Sequence, residues 1–223
     1  MSDRTARADR VAETREAIMS AAERLFAEHG LIAVSNRQIG EAAGQGNVTA
    51  VSYHFGAKAG LVRAVMSKHS EKVERIRQRH LDEIGDSHDL RDWVGCLVRP
   101  VPEHLGSLGI PSWYARFAVQ VMTDPLMRAM TTDEALTREP LRQTLDGLGR
   151  LLEAVPAPVR VERGAMARHL IVHTCAERER ALAEGTALLH SSWERTADAL
   201  TDAIVGLLTA PVSPHHDLEP NRP

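Results

Sequence analysis

The sequence predicts an all-α fold. Aromatic residues make up only 4% of the 223 residues, whereas Ala, Leu and Val are abundant, and this composition favours helices over strands. Apolar residues recur at helical spacing along most of the chain, and no alternating pattern indicates a strand. A hydrophobic content of 43% with 26% charged residues is typical of a packed globular protein.

Charge is distributed unevenly along the chain. Residues 1–80 hold 13 Lys and Arg against 9 Asp and Glu, a balance of +4, whereas residues 81–223 hold 14 against 21, a balance of -7. This asymmetry fits a basic module that faces a partner, joined to an acidic module, and it also fits chance clustering on solvated helix faces.

The segments that would direct a chain out of the cytoplasm are not evident. Cys96 and Cys175 are too few for a disulfide framework, and the N-terminus has no apolar signal core. No apolar run approaches the roughly 18 residues that a membrane helix needs. We therefore expect a cytoplasmic protein that does not enter a membrane.

The first two helices have clear sequence signals. Apolar positions from Ile18 to Phe26 predict a first helix over about 11–29, which Gly30 can end in the left-handed conformation. Ser35 and Gln38 form a capping box that begins a second helix of about two turns, and Gly44 ends it.

A third short helix is predicted from about Val48 to Phe55, and a long fourth helix from about Lys58 to Ile84. The fourth helix is apolar at first and then strongly charged, which is typical of a connector between domains. Further helices are predicted at about 89–104, 112–131 with a break before Pro125, 133–154, 158–184 and 188–208. The expected domains are 11–58, 59–210 and a disordered, proline-rich tail at 211–223.

Two short helices joined by a glycine-containing turn and braced by a longer one predict a helix-turn-helix. The second short helix of this motif enters the DNA major groove, and flanking helix ends hold phosphates. Polar residues at the start of the third helix, among them Asn47 and Thr49, are candidates for base contacts, and Lys58 at a helix N-terminus for a phosphate contact. Tyr53 and His54 could contact DNA or pack between helices. Phe55 is expected in the core.

Four motifs resemble one known family. They are A-x-x-L-F-x-x-x-G from Ala22, I-x-x-x-A-G from Ile39, Y-H-F from Tyr53 and K-x-x-L from Lys58. In this order, over about residues 14–66, they resemble the DNA-binding domain of the tetracycline-repressor (TetR) family of transcription regulators.

The resemblance implies DNA contacts at Arg37, Thr49, Ser52, Tyr53 and Lys58. It departs from the family pattern at Ser52, where an aromatic residue is usual. Gly44 and Phe55 are also one residue further apart than is common. Ala57 stands where an N-capping residue is frequent, so the start of the fourth helix is expected to be poorly capped.

The resemblance also implies a helical domain that binds a small molecule and dimerises through its last two helices. Apolar stripes on those helices fit such a seam or burial within one subunit. The expected interface residues are Met166, Leu170, Leu189, Trp193, Leu200 and Ile204. Aromatic and Met residues can line an apolar pocket, although they also build ordinary cores. The expected ligand-binding residues are Trp93, Trp113, Phe117, Gln120, Met122, Met127 and His173.

The function expected from these patterns is a ligand-responsive transcription regulator. It would bind a near-palindromic double-stranded DNA operator as a homodimer, act as a repressor, and be released by a small molecule. The alternative is a helical metal-dependent enzyme that uses His169 and His173, which share a helix face. No nucleophile motif, paired carboxylates or phosphate loop is recognised, so we expect neither catalysis nor a cofactor.

Overall fold

The computed structural model describes residues 2–47, 49–186 and 192–213, with backbone alone for residues 2–6. It confirms the all-α class, since the described residues form eleven helices and no strand. The helices are α1 (Ser2–His29), α2 (Asn36–Ala42), α3 (Ala50–Phe55), α4 (Lys58–Ile84), α5 (Leu90–Val98), α6 (Pro100–Ser107), α7 (Tyr114–Thr123), α8 (Pro125–Ala135), α9 (Glu139–Leu151), α10 (Ala157–Ala183) and α11 (Trp193–Thr209). None of these helices is long and apolar enough to span a membrane.

The N-terminal module consists of α1, α2, α3 and the first turns of α4. The capping box is present, with Ser35 accepting from the Gln38 amide and the Gln38 side chain accepting from the Ser35 amide. Gly30 and Gly44 both adopt positive φ after a helix, as expected. Ala57 gives α4 no side-chain cap. The sequence therefore specifies most of this module through its caps and turns.

Three helix boundaries differ from those predicted. The first helix begins at Ser2 rather than near Val11, because residues 2–13 are rich in Ala and Arg, which favour helix without an apolar face. The helix expected over 89–104 is divided into α5 and α6 at Pro100, which lacks the N–H for a continuous ladder. The helix expected from 133 begins only at Glu139, since 133–135 complete α8.

Helix α7 lies between the N-terminal module and the C-terminal helices. It packs on both α1 and α10. A buried carboxylate of α10 holds its first turn, because Glu179 accepts hydrogen bonds from the Ala115 and Arg116 amides and from the Ser112 hydroxyl. Glu179 is 1% exposed and also pairs with the Arg116 guanidinium at 3.2 Å. It replaces the N-terminal cap that Trp113 does not supply.

The last two helices are joined through Arg163 of α10. Its guanidinium donates to the carbonyls of Leu208 and Ala210 at the C-terminal end of α11. Helix α11 packs on α5, α6 and α10, with Leu200 and Ile204 fully enclosed. This arrangement leaves one long face of α10 and one narrow face of α11 exposed.

Candidate nucleic-acid interface and effector cavity

The turn between α2 and α3 is held by side-chain hydrogen bonds. The side-chain oxygen of Asn47 accepts hydrogen bonds from both the backbone amide and the hydroxyl of Thr49. Asn36 of α2 donates to the Ser52 hydroxyl of α3 at 3.5 Å. Ala50 and Val51 are buried, so α3 turns one apolar face inward. Asn47 and Thr49 thus fix the start of α3, and Val48 between them lies outside the described residues.

The outward face of α3 carries exposed polar and aromatic groups. Thr49, Ser52 and Tyr53 are exposed, and Tyr53 retains 82% of its accessible surface. Arg37 on α2 is also exposed and forms an ion pair with Glu41 at 2.8 Å. An aromatic ring this exposed contributes little to the core, so it is available for contact with a groove or backbone of DNA.

The end of α3 is anchored rather than free. Arg15 of α1 donates to the His54 carbonyl at 2.6 Å and lies over the Phe55 ring, 4.4 Å from its centroid. His54 and Phe55 are half-buried. Gly60 of α4 lies so close that a Cβ there would be 2.1 Å from the Phe55 carbonyl oxygen. These contacts fix the angle between α3 and α4.

Lys58 has a different setting from the one expected. Its ammonium donates to the carbonyls of Leu31 at 2.6 Å and Val34 at 2.8 Å, in the loop between α1 and α2. An ammonium has three N–H donors, so one remains for an external acceptor. Lys58 therefore closes the N-terminal module as well as lying at the start of α4.

A cavity of about 910 Å³ opens between α4, α8, α9 and α10. Apolar side chains form most of its wall, among them Met66, Leu97, Met122, Leu141, Leu148 and Ile171. Four arginines and one carboxylate also line it, namely Arg77, Arg138, Arg160, Arg168 and Glu134. A cavity of this size and character can enclose an organic molecule of drug-like dimensions.

The residues expected to bind a ligand are spread over several environments. Met122 lines the cavity, and the other six do not. Trp93 is 2% exposed, lies against Gly147 and donates from Nε1 to the Ser87 carbonyl. Phe117 is completely buried against α1.

The remaining members of that set lie near the same helices. Trp113, Gln120 and Met127 are half-buried, and the Gln120 side chain lies beside Gly30. His173 is on the exposed face of α10. Most residues that line the cavity are not among those expected, because α9 and α10 contribute Ala, Gly and Leu, whose pattern does not differ from that of an ordinary core.

The residues expected at a dimer interface also divide into groups. Met166 is 50% exposed and Leu170 is 39% exposed on α10. Leu200 and Ile204 are buried within the subunit, so they face α5 and α6 rather than a partner chain. Trp193 is half-buried on Gly106 of α6.

Leu189 lies outside the described residues. The exposed face of α11 presents instead a row of small residues at Ala199, Ala203 and Gly206.

The described residues bring no third metal ligand to the histidine pair of the alternative enzymatic site. His169 and His173 lie on the exposed face of α10 with ring centroids 6.3 Å apart. Within the described residues, no group of three or more His, Cys, Asp or Glu side chains could hold a metal. Burial raises the pKa of Cys96 to about 11 and that of Cys175 to about 12, so both stay as unreactive thiols near neutral pH.

Two solved structures have a related helical arrangement. One is a putative TetR-family transcriptional regulator from Mesorhizobium loti MAFF303099, 18% identical, with 89% of this chain and 98% of that chain covered and a TM-score of 0.48. The other is the TetR-like transcriptional regulator LfrR from Mycobacterium smegmatis in complex with proflavine, 20% identical, with 90% and 98% covered and a TM-score of 0.44.

The sequence comparison with protein families is more specific. No curated protein matches the chain. The family described as bacterial regulatory proteins, tetR family, matches residues 18–65, which extend from the middle of α1 through the recognition helix into α4. This match covers the helix-turn-helix described above, so residues 18–65 form a DNA-binding domain similar to that of the tetR family of bacterial regulatory proteins.

Proposed function

We propose that the protein is a repressor that binds a near-palindromic operator as a homodimer and is released when a small molecule occupies the cavity. The observation that carries this proposal is that helix α4 belongs both to the N-terminal module and to the wall of the cavity. It begins at Lys58 beside the recognition helix, and its residues Met66, Ser67 and Ser70 line the cavity. A ligand that changes the position of α4 would change the position of α3.

A second connection supports the same coupling. Helix α7 contributes Met122 to the cavity wall and packs on α1 of the N-terminal module. A ligand can shift the balance between two conformations only by its difference in affinity for them, typically about 1–3 kcal/mol. Two helices that contact both the cavity and the DNA-binding module supply the elements that such a ligand would bias.

We propose that the dimer forms through the exposed faces of α10 and α11. Met166 and Leu170 supply apolar area on α10. The small residues Ala199, Ala203 and Gly206 would allow a partner helix to approach α11 closely, since a Cβ on Gly206 would meet no atom within 4 Å. A two-fold pairing of these faces would form a four-helix bundle and place two recognition helices on one side.

For the DNA contacts we propose Arg37, Asn47, Thr49, Ser52, Tyr53, His54 and Lys58. Tyr53 is the sharpest test, because its exposed ring can be removed without damage to the core. An operator would be selected from random DNA with the full chain. The Tyr53→Ala variant should bind that operator at least about tenfold more weakly, while the free energy of unfolding changes by less than about 0.5 kcal/mol.

Leu126→Ala is a matched control, because Leu126 is equally exposed on α8. This variant should keep operator affinity. Equal affinity of Tyr53→Ala and the parent would contradict the placement of α3 in the groove. Failure to select any DNA sequence would contradict the proposed function itself.

The dimer is tested by Leu170→Asp against the control Leu126→Asp. Only the first places a charge on the proposed seam, where it would be buried without a partner. Light scattering should show a monomer for Leu170→Asp and a dimer for Leu126→Asp. Dimers in both cases would place the interface on another face.

A further inference from the structure

The cavity wall carries more positive than negative charge. Four guanidinium groups line it, at Arg77, Arg138, Arg160 and Arg168, against the single carboxylate of Glu134. A charged group next to an apolar cavity is costly unless a partner neutralises it. The partners of these five groups therefore indicate what kind of ligand the cavity accepts.

Two of the arginines are already satisfied by the protein. Arg77 pairs with Glu74 at 3.1 Å and donates to the carbonyls of Cys96 and Leu97. Arg138 lies 3.5 Å from Glu134 and donates to the Ser67 hydroxyl. Glu134 is also 3.5 Å from Arg63, so its charge is shared between two cations. No uncompensated carboxylate remains on the wall to attract a cationic ligand.

The other two arginines lie on α10, eight residues apart on the face that forms the cavity wall. Arg160 donates to the Gly149 carbonyl at 3.2 Å. Arg168 differs, because its guanidinium has no hydrogen-bond partner among the described residues; its Nε is enclosed by protein, so its two terminal nitrogens are the donors that a ligand in the cavity could meet. The Arg168 guanidinium also forms no ion pair with any residue that the structure describes. A planar guanidinium presents a fork of donors that matches a carboxylate with two parallel hydrogen bonds.

The rest of the wall has few groups to offer a polar ligand. The Thr131 hydroxyl donates to the Met127 carbonyl within its own helix, and the Ser67 hydroxyl accepts from Arg138. The space itself exists because α10 presents small residues there, including Ala157, Gly164 and Ala165. The body of a bound molecule would therefore contact mainly Leu, Met, Ile and Ala side chains.

We infer that the cavity binds an apolar small molecule with one carboxylate, and that Arg168 binds the carboxylate. This inference rests on the proposed effector site and adds the chemical class of its ligand. Arg160 already donates to the Gly149 carbonyl, whereas Arg168 forms no hydrogen bond among the described residues, so a single carboxylate would satisfy the guanidinium that is left open. A cationic molecule would instead place its charge beside Arg168 and Arg160.

The experiment compares three probes with the same apolar chain and different head groups, namely dodecanoate, dodecanol and dodecylammonium. Each is titrated below its self-association limit into the full chain by calorimetry, with thermal unfolding as a second readout. Dodecanoate should bind most tightly and raise the unfolding temperature most. In Arg168→Met the affinity for dodecanoate should fall at least about tenfold, since a charge-assisted pair is lost, while that for dodecanol stays within about twofold.

Two further variants complete the test. Arg168→Lys should restore part of the dodecanoate affinity, because it keeps the charge without the fork. Arg91→Met, remote from the cavity, should behave as the parent. Equal binding of the three probes, no binding of dodecanoate, or an unchanged affinity in Arg168→Met would each overturn the inference.

Operator affinity without a probe is measured for the same variants. If DNA binding is absent although dodecanoate binds through Arg168, the proposed function fails and the ligand class stands. If the operator is bound and the head groups are not distinguished, the reverse holds. The two conclusions are therefore tested separately.

Discussion

The ring of Phe117 in α7 stacks on the ring of Phe26 in α1, with centroids 6.0 Å apart and planes inclined by 21°. Both side chains are completely buried. Phe26 belongs to the DNA-binding module, and Phe117 is about one and a half helical turns before Met122 on the cavity wall. The stack is thus a direct contact along a route from the cavity to α1.

We expect Phe117→Leu to reduce the response to ligand more than it reduces ligand binding. The smaller side chain keeps an apolar group in place but loses the ring contact with Phe26, so a movement of α7 is transmitted less firmly. The loss of operator affinity on addition of dodecanoate should shrink, while the calorimetric affinity for dodecanoate stays within about threefold of the parent. A full response in this variant would show that the stack is only core.

Lys58 is expected to have two roles that one variant can separate. In Lys58→Met the carbonyls of Leu31 and Val34 lose their donor, and the free energy of unfolding should fall by about 1–3 kcal/mol. If the third N–H meets a phosphate, the slope of log affinity against log salt should also fall by about one per subunit.

Arg75→Met is the control for this variant, since Arg75 is exposed on α4 far from the recognition helix. It should change neither the free energy of unfolding nor the salt slope. An unchanged slope in Lys58→Met, together with reduced stability, would limit Lys58 to its structural role.

Local signals in the sequence predict most of the helix ends and turns of the DNA-binding module. A capping box, two glycines at helix ends and a Y-H-F motif act within a few residues of themselves, so their meaning does not depend on distant contacts. The same holds for the break at Asp124, whose carboxylate accepts from the amides of Leu126 and Met127 just before Pro125 opens α8.

The sequence does not indicate which surface an apolar helix stripe packs against. An apolar stripe at Leu200 and Ile204 has the same spacing whether it packs on α5 or on a partner chain. Part of the cavity exists because Gly164 of α10 has no side chain. The absence of a side chain leaves no periodic pattern in the sequence. The Glu179 carboxylate caps a helix 64 residues earlier, which no local motif can indicate.

Filling the cavity should block ligand binding without loss of the fold. A Cβ on Gly164 would meet no atom within 4 Å, so Gly164→Leu can extend into open space. The variant should bind dodecanoate and dodecanol at least about tenfold more weakly. Gly164→Ala is the matched control, because it gains helix propensity of about 1 kcal/mol while adding little volume. Undiminished binding in Gly164→Leu would place the probes elsewhere.

The buried cap of α7 should make a large contribution to stability. Removal of Glu179 leaves the Arg116 guanidinium and two amides without their acceptor in a buried site. Glu179→Ala should lower the free energy of unfolding in urea by about 3–5 kcal/mol. Glu177→Ala, on the exposed face of the same helix, should change it by less than about 0.5 kcal/mol. Similar small effects in both variants would mean that α7 is held by packing alone.

A chain of buried polar side chains links α1 to α4 and α6. Glu23 lies 2.9 Å from His69 Nε2, and His69 Nδ1 lies 2.8 Å from His104 Nε2. Because a carboxylate only accepts, His69 donates from Nε2. At 2.8 Å only one of the two facing ring nitrogens can carry a hydrogen. The two imidazoles therefore cannot be doubly protonated at the same time. Tyr114 of α7 stacks on His69, with centroids 3.9 Å apart.

This chain predicts that stability falls in mild acid. Burial first, and then the positive charges of His69, Lys72 and Lys68, lower the pKa of His104 to about 4. The unfolded chain, with an ordinary pKa of about 6.5, therefore binds this proton first as the pH falls. His104 makes its full contribution to the free energy of unfolding above pH ~6.5. This contribution, on the order of 3 kcal/mol, is lost as the pH falls towards ~4. Carboxyl groups also titrate in this range, so the measurement is the difference between the parent and His104→Gln in urea unfolding from pH 4 to 7.5. The variant should be less stable at pH 7.5 and lose less on acidification, and parallel curves for the two proteins would show that His104 does not govern the change.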